Sequence, residues 1–262
     1  MSGDEQTMAK LAAAAYVSDG NYDEHLKGTG YRVHPDKSFS DHNVTTFLHD
    51  NGDVAIMHRG TAVGSKGGSA DIKADVMYAL GKAGHNKKRF DDRMKKTEDI
   101  MKRAGATNYY LGGHSLGGGT AEHAARNSKV VREKVTAIHT FNQAANPLFK
   151  NQSNLSKEEK KSLGSKFTKH RIGGDVVSGG LRSRNDLGTV KKYDAKGKEG
   201  ALSSHGIDQF IDNQTGRTTH VGKHRVKKKD RHMYDGKPQA TNANRWSRYQ
   251  GMTATQTPMV FR

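Results

Sequence analysis

Residues 109–119 contain the side chain most able to act as a nucleophile in this sequence. The segment reads YYLGGHSLGGG, an apolar stretch that runs into Gly-x-Ser-x-Gly and then into an alanine-rich, helix-prone segment. In a strand–turn–helix of this kind the serine lies on a sharp, strained turn. The helix that follows directs free N–H groups toward any oxyanion that forms beside the serine. We therefore predict that Ser115 is a nucleophile for acyl transfer.

A second motif lies upstream, where the apolar stretch Asp53–His58 predicts a buried strand that ends at Arg59-Gly60-Thr61. The two motifs together resemble the class 3 lipases, the fungal-lipase-like branch of the α/β-hydrolases. That family carries an apolar strand ending in Arg-Gly-Ser/Thr, then Gly-His-Ser-Leu-Gly-Gly, then an Asp and a His. Residues 113–118 match the second motif residue for residue, and the resemblance covers residues 11–210. It implies an α/β-hydrolase fold, a central and mostly parallel sheet flanked by helices.

The resemblance also implies an acid and a base for Ser115. Asp175 follows the strand predicted at Lys166–Ile172 and matches the family pattern of a strand followed by Asp-x-Val. Among the 14 histidines, His205 resembles the family's base, which lies on a loop just before a short helix. The other histidines after Asp175 are His220, which is the second choice, His224 and His232. Asp175 as a turn residue after two glycines, and His205 as a surface residue, stay open.

The same resemblance assigns an oxyanion hole. Its donors would be the backbone N–H groups of Thr61 and of Leu116, the residue after the nucleophile. Arg59 is interpreted as structural, tying the strand end to neighbouring carboxylates. The implied activity is that of a lipase or phospholipase, in which Ser115 attacks a carboxylic ester, His205 takes the proton and an acyl-enzyme is then hydrolysed.

Several elements must position these residues. An amphipathic helix is predicted at Asp4–Val17, a hairpin turn at Asp50–Asp53, a helix around Phe90–Met101, a strand at Val135–Phe141 and a helix start at Ser156. In the family that the chain resembles, the region just past the first oxyanion residue often carries a lid over the site. Residues 62–88 occupy that region, and their glycines would suit the hinge of a lid or a plain loop equally well.

Composition divides the chain in two. The net charge is +17, and residues 217–262 hold 11 Lys and Arg against two acidic residues, which accounts for more than half of the excess. We therefore expect a hydrolase domain over residues 1–216 and a basic, partly extended tail over residues 217–262. The tail would suit an anionic membrane surface, non-specific nucleic acid binding or solvent alone.

Two classes of function therefore stay open. The favoured one is a serine hydrolase of lipid esters, and the alternative is a basic nucleic-acid- or membrane-binding protein, such as a virion protein, with weak or no activity. We expect no cofactor and no metal, because His220-x-x-x-His224 lacks a supporting Glu and no phosphate-binding loop occurs. The absence of cysteine, of a signal peptide and of a long apolar run predicts a soluble protein, intracellular or virion-packaged rather than secreted.

Overall fold

The computed structural model describes residues 3–17, 20–61, 83–144, 155–175, 177–178, 187–197, 203–221 and 224–225. Within them, nine strands form one sheet whose spatial order equals their order along the chain. The strands are β1 Tyr31–Val33, β2 Val44–His49, β3 Val54–His58, β4 Tyr109–His114, β5 Val135–Phe141, β6 Phe167–Ile172, β7 Thr189–Tyr193, β8 Arg217–Val221 and β9 His224–Arg225.

The five central strands, β3 to β7, are parallel, and the strands at both edges pair antiparallel. Parallel neighbours need long crossovers, and helices lie in the connections after β3, β4 and β5. The described helices are α1 Glu5–Ala14, α2 Asp23–Leu26, α3 Ala83–Arg103, α4 Leu116–Asn127, α5 Lys129–Lys134 and α6 Lys157–Ser165, with 3₁₀ turns at Lys37–Phe39, Ser203–His205 and Ile207–Gln209. This architecture confirms the predicted α/β-hydrolase fold.

The alternation of side chains along the strands produces two apolar cores, one on each face of the sheet. Val54, Ile56 and Leu111 face one way and pack with residues of α3 and α4. Ala55 and Met57 face the other way and pack beneath α1, together with Tyr110, Phe141 and Ile172. Both faces of β3 are buried, and residues 54–57 of that strand are therefore all apolar rather than alternating.

Local signals in the sequence account for the ends of several elements. Asp4 caps α1 by accepting hydrogen bonds from the N–H groups of Gln6 and Thr7, both at 3.0 Å. Ser156 and Glu159 form a reciprocal capping box at the start of α6. The predicted hairpin between β2 and β3 is confirmed, with Gly52 at φ 88° in its turn. The helix predicted around residues 90–101 is confirmed as α3.

The sheet extends past the boundary expected at residue 216. Strand β8 pairs antiparallel with β7, from Lys192 opposite Arg217 to Thr189 opposite Val221, and β9 continues the sheet. The high density of charged residues did not predict this strand. Its side chains alternate, because Arg217 points to solvent and pairs with Asp194 at 2.7 Å while the next residue, a threonine, is buried. The ordered unit therefore includes residues 217–221 and 224–225.

Two expectations fall largely outside the described residues. Of the segment considered as a lid, residues 62–82 lie outside, and Ala83–Lys88 form the beginning of α3. Of the basic tail, residues 222–223 and 226–262 lie outside. No helix within the described ranges combines the length and apolar character needed to cross a bilayer.

Candidate active site

Ser115 occupies a strained turn between β4 and α4. Its backbone has φ 54° and ψ −122°, a left-handed φ that side-chain-bearing residues rarely adopt. Two glycines allow the backbone to double back here. A Cβ on Gly117 would lie 2.0 Å from the His58 carbonyl oxygen, and one on Gly113 would lie 2.6 Å from the Gly117 carbonyl carbon. The turn is fixed at both ends, because the Ser115 N–H donates to the Phe141 carbonyl at 3.0 Å and its own carbonyl accepts from another backbone N–H.

A continuous hydrogen-bonded chain joins Ser115, His205 and Asp175. The Ser115 Oγ lies 2.8 Å from His205 Nε2, and His205 Nδ1 lies 3.0 Å from Asp175 Oδ1. All three residues are at least 96% buried. The carboxylate can only accept, so Nδ1 carries the proton and Nε2 presents a lone pair to the serine hydroxyl. This is the geometry of a base that can remove a proton from Ser115.

Asp175 stays ionised in this setting. Burial alone would raise its pKa, but the hydrogen bond and charge of His205 and the donors of Ser178 outweigh burial and hold the pKa below its ordinary value. Its carboxylate also accepts from the backbone N–H groups of Val177 at 3.0 Å and Ser178 at 2.9 Å. Gly174, at φ 90°, supplies the turn that carries the chain from β6 to this carboxylate.

Asn142 anchors the loop that carries His205, a role that sequence reasoning missed. The residue follows β5 directly, and its Nδ2 donates to the carbonyls of Ser204 at 2.8 Å and His205 at 3.1 Å. Its Oδ1 accepts from the Ile172 N–H at 2.9 Å, at the end of β6. One amide thus ties the loop of His205 to the strand that leads to Asp175. Its place at the carboxyl end of a parallel strand, where site residues collect, was the available signal.

The two residues expected to form an oxyanion hole flank Ser115. Leu116 is the first residue of α4, so its N–H has no acceptor within the helix. On the other side, an added Cβ on Gly60 would lie 3.2 Å from the Ser115 Cβ, so the backbone before Thr61 packs directly on the nucleophile turn. The Thr61 hydroxyl oxygen is buried and has no hydrogen-bond partner within the described residues. A buried hydroxyl of this kind is costly unless a ligand satisfies it.

Arg59 does not pair with a carboxylate of the described residues, contrary to expectation. Its guanidinium carbon lies 5.4 Å from the ring centroid of Tyr16, a cation–π contact. Its backbone carbonyl accepts a hydrogen bond from Arg93 of α3 at 3.2 Å. An aromatic ring, not a carboxylate, is therefore the neighbour of this guanidinium within the described residues.

A buried ion-pair cluster connects the helix after Ser115 to the strand before Asp175. Glu122 of α4 pairs with Lys169 of β6 at 2.9 Å and with Arg126 at 2.7 Å, and it accepts from the amide of Gln143. Burial raises the pKa of Glu122, and the two cations more than reverse this, so the group stays charged. The cluster fixes α4 against β6 on the face opposite α1.

The second-choice base, His220, lies in β8, and the structure brings His205 rather than His220 to Ser115. His220 and His224 belong to two paired strands and not to one helix. Within the described ranges, no three His, Asp or Glu side chains are grouped so as to hold a metal ion.

The comparisons with known proteins return structures only, since no family model and no curated protein sequence matches the chain. The Rhizomucor miehei lipase in its propeptide complex is 13% identical over 79% of this chain and 79% of its own, with a TM-score of 0.45. Lipase II from Rhizopus niveus is 14% identical over 88% of each chain, with a TM-score of 0.40. At these values the likeness says nothing about activity.

Proposed function

We propose that the chain is a serine hydrolase that cleaves carboxylic esters of lipids through an acyl-enzyme. Ser115 is the nucleophile, His205 the general base and Asp175 the acid that orients it. The observation that carries this proposal is the chain of two hydrogen bonds, 2.8 Å and 3.0 Å long, that ends on a serine held at a strained φ. Strain of about 1–3 kcal/mol persists where the surrounding structure enforces it, and such residues cluster at active sites.

The reaction proceeds in two halves. The Ser115 Oγ forms a bond to the ester carbonyl carbon while its proton passes to His205 Nε2. The tetrahedral intermediate collapses, the bond to the alcohol oxygen breaks, and the departing alcohol takes the proton from Nε2. A water molecule then attacks the acyl-enzyme, giving one proton to His205 Nε2. That proton returns to Ser115 Oγ as the carboxylic acid leaves.

Thr61 and Leu116 stabilise the oxyanion of both tetrahedral intermediates. Their backbone N–H groups are the donors, and the unpartnered Thr61 hydroxyl supplies a further one. The dipole of α4, which begins at Leu116, adds to the stabilisation. Losing one oxyanion donor typically slows catalysis by about a hundredfold to a thousandfold.

Lipid esters are favoured over other esters by the motifs shared with the class 3 lipases and by the charge of the chain. A basic segment near an anionic bilayer gains about 1 kcal/mol per Lys or Arg. Residues 217–262 contain 11 such residues, of which Arg217 pairs with Asp194 in the sheet, and the others would hold the enzyme at an anionic lipid surface. We propose that the α/β unit carries the chemistry and that the basic C-terminal segment carries this attachment.

The same charge count supports a second candidate, a basic protein that binds nucleic acid or membranes on a hydrolase scaffold with little or no activity. Neutralising nucleic acid phosphates releases counterions, so such binding would weaken steeply with salt. Hydrolysis of a soluble ester would respond little to salt. A salt titration of DNA binding beside the ester assay separates the two candidates.

The test is hydrolysis of a short and a long p-nitrophenyl ester by the wild type, Ser115→Ala and Ser165→Ala. Ser165 lies at the end of α6, away from the site, and serves as the matched control. We expect turnover in the wild type and in Ser165→Ala, none in Ser115→Ala, and an increase with acyl length and with anionic vesicles. Equal turnover by the wild type and Ser115→Ala, or none by a folded wild type, would overturn the proposal.

A further inference from the structure

Tyr16, just after α1, contacts both halves of the candidate site. Its hydroxyl oxygen lies 3.0 Å from the Gly60 backbone nitrogen, on the oxyanion side, and 2.9 Å from His114 Nδ1, beside the nucleophile. The other ring nitrogen of His114, Nε2, lies 2.7 Å from the His205 carbonyl oxygen. Three hydrogen bonds therefore lead from the loop before Thr61, through two side chains, to the backbone of the base.

The protons in this chain can have one arrangement. A carbonyl oxygen only accepts, so His114 Nε2 carries a proton and donates it to His205. Burial lowers the pKa of His114 to about 3, so the imidazole is neutral and Nδ1 holds a lone pair. The Tyr16 hydroxyl must then donate to Nδ1 and accept from the Gly60 N–H. Burial raises the pKa of Tyr16, which keeps that hydroxyl protonated.

The peptide group between Arg59 and Gly60 is held at both ends. Its N–H donates to Tyr16, and its carbonyl accepts from Arg93 at 3.2 Å. Arg93 is 4% exposed and also donates to the side chains of Asn43 and Thr120. The next amide along the chain is that of Thr61. Only the two backbone dihedrals of Gly60 separate this held peptide plane from the Thr61 N–H.

The fit around Gly60 leaves no room for a side chain, so the backbone at this position is closely packed. A Cβ added there would lie 2.4 Å from the Tyr16 hydroxyl and 2.8 Å from the His114 carbonyl oxygen. The imidazole rings of His114 and His205 are 4.9 Å apart, so the base also rests against His114. Tyr16 and His114 therefore connect the loop before Thr61 to His205, and this connection does not include Ser115.

We propose that Tyr16 and His114 are positioning residues that fix the Thr61 oxyanion donor and the base His205 relative to one another. The proposal rests on the serine hydrolase function proposed above. Neither side chain touches the reacting atoms. They contribute in the transition state. If the Thr61 donor or His205 is displaced, the rate of the chemical step falls while substrate binding is unchanged.

The first arm of the test is spectroscopic and needs no activity. In protein labelled with ¹⁵N-histidine, we expect the His114 ring to carry its proton on Nε2 and to keep it while exposed histidines titrate. In Tyr16→Phe, the His114 Nδ1 resonance should move to the chemical shift of an unprotonated ring nitrogen that accepts no hydrogen bond. The matched control is Tyr31→Phe, because the Tyr31 hydroxyl is buried but has no hydrogen-bond partner within the described residues. A proton on Nδ1, or an unchanged Nδ1 resonance in Tyr16→Phe, would overturn the proposal.

The second arm is kinetic and uses a double-mutant cycle of Tyr16→Phe and His114→Gln. Each single variant should lower kcat by about tenfold or more at unchanged KM, and the double variant should lose less than the product of the two losses. Tyr31→Phe should match the wild type. Losses that multiply, or that appear in KM, would contradict a shared positioning role.

The two arms also separate this proposal from the function on which it rests. If the wild type shows no turnover, or if its turnover does not depend on Ser115, the hydrolase function is refuted. The catalytic role of Tyr16 and His114 is then refuted with it. The imidazole spectra would still decide whether Tyr16 and His114 form the connection.

Discussion

Two pairs of buried, neighbouring histidines have different surroundings in this structure. His114 and His205, with ring centroids 4.9 Å apart, lie beyond the carboxyl ends of the parallel strands. His139 of β5 and His170 of β6, with centroids 5.3 Å apart, lie within the sheet on the face that α1 covers. A chain of hydrogen bonds leads from each pair to a carboxylate. The chain that contains His205 also reaches the hydroxyl of Ser115.

The pair beneath α1 forms a chain whose donors all point toward a paired carboxylate. The side chains of Lys191 and Tyr193 both donate to Glu5 of α1, Tyr193 at 3.0 Å. The Tyr193 oxygen can then accept from His170 Nδ1 at 2.8 Å, and His170 Nε2 accepts from His139 Nδ1 at 3.0 Å. Each donor has an acceptor, so this chain stabilises the fold and has no group to offer a substrate.

His205 differs in what its second nitrogen faces. Its Nδ1 faces Asp175, as His170 faces Tyr193, but its Nε2 faces the hydroxyl of Ser115 at the strained turn. Burial, stacking and a neighbouring histidine are common to both pairs and therefore do not indicate catalysis. The group at the end of the hydrogen-bond chain distinguishes a base from a structural histidine.

The two pairs should differ most when the carboxylate beside each of them, Asp175 or Glu5, is neutralised in turn. Asp175→Asn should lower kcat on a p-nitrophenyl ester by about ten-thousandfold, because the amide favours the wrong tautomer of His205. Glu5→Gln should leave kcat unchanged and lower the urea midpoint, since it removes the charge that Lys191 pairs with. Equal effects of the two substitutions on kcat would show that the two networks do not differ as described.

A smaller effect should come from removing one hydroxyl at the candidate site, and none on kcat from removing one elsewhere in the sheet. Thr61→Val should lower kcat by about a hundredfold at unchanged KM, because the unpartnered hydroxyl is satisfied only when the oxyanion forms. Thr46→Val should leave kcat unchanged and reduce stability, because the Thr46 hydroxyl donates to the Phe39 carbonyl at 2.7 Å. A rise in KM for Thr61→Val would instead place its hydroxyl in ground-state binding.

The last effect is on the pH dependence of stability and not on kcat. Burial lowers the pKa of His139 to about 4 and that of His170 to about 3, from an ordinary value of 6.5. A depressed histidine pKa contributes stability that is fully present above pH 6.5 and is lost as pH falls below it, because the unfolded state then binds the proton. Each such histidine contributes a slope of about 1.4 kcal/mol per pH unit.

Urea midpoints between pH 6.5 and 4.5, above the titration of most carboxylates, measure that slope. The wild-type midpoint should fall through this interval, and His139→Gln should fall less steeply than the wild type. An exposed histidine gives the control, and His42→Gln should follow the wild-type curve. A midpoint that stays level across the interval would mean that the buried pair already binds a proton in the folded protein.

The motifs close together in the sequence were enough to predict much of the fold. Three of its features depend on residues within a few positions of one another. These are the strained turn at Ser115, the hairpin at Gly52 and the helix cap at Ser156. The structure brings Asp175 and His205 to Ser115 as expected, and their catalytic roles stay a prediction. Strand β8 was not predicted, because the high charge of residues 217–262 outweighed this short strand in the composition.

The contacts that position the site could not be predicted in the same way. Tyr16 and His114 are 98 positions apart, and Asn142 and His205 are 63 apart. Neither Tyr16 nor Asn142 belongs to a motif, and each would suit a helix end or a strand end without any further role. Side-chain hydrogen bonds across such separations depend on the packing of whole elements, which a local pattern does not encode.

The most direct test of the central claim is covalent labelling with an alkyl p-nitrophenyl phosphonate, which reports on the nucleophile without requiring turnover. The account predicts release of one equivalent of p-nitrophenol per protein and a phosphonyl adduct on Ser115 by mass spectrometry. Ser115→Ala should release none, and Asp175→Asn should react far more slowly than Glu5→Gln. A folded wild type that stays unlabelled, or that carries the label on another residue, would contradict the assignment of Ser115 as an activated nucleophile.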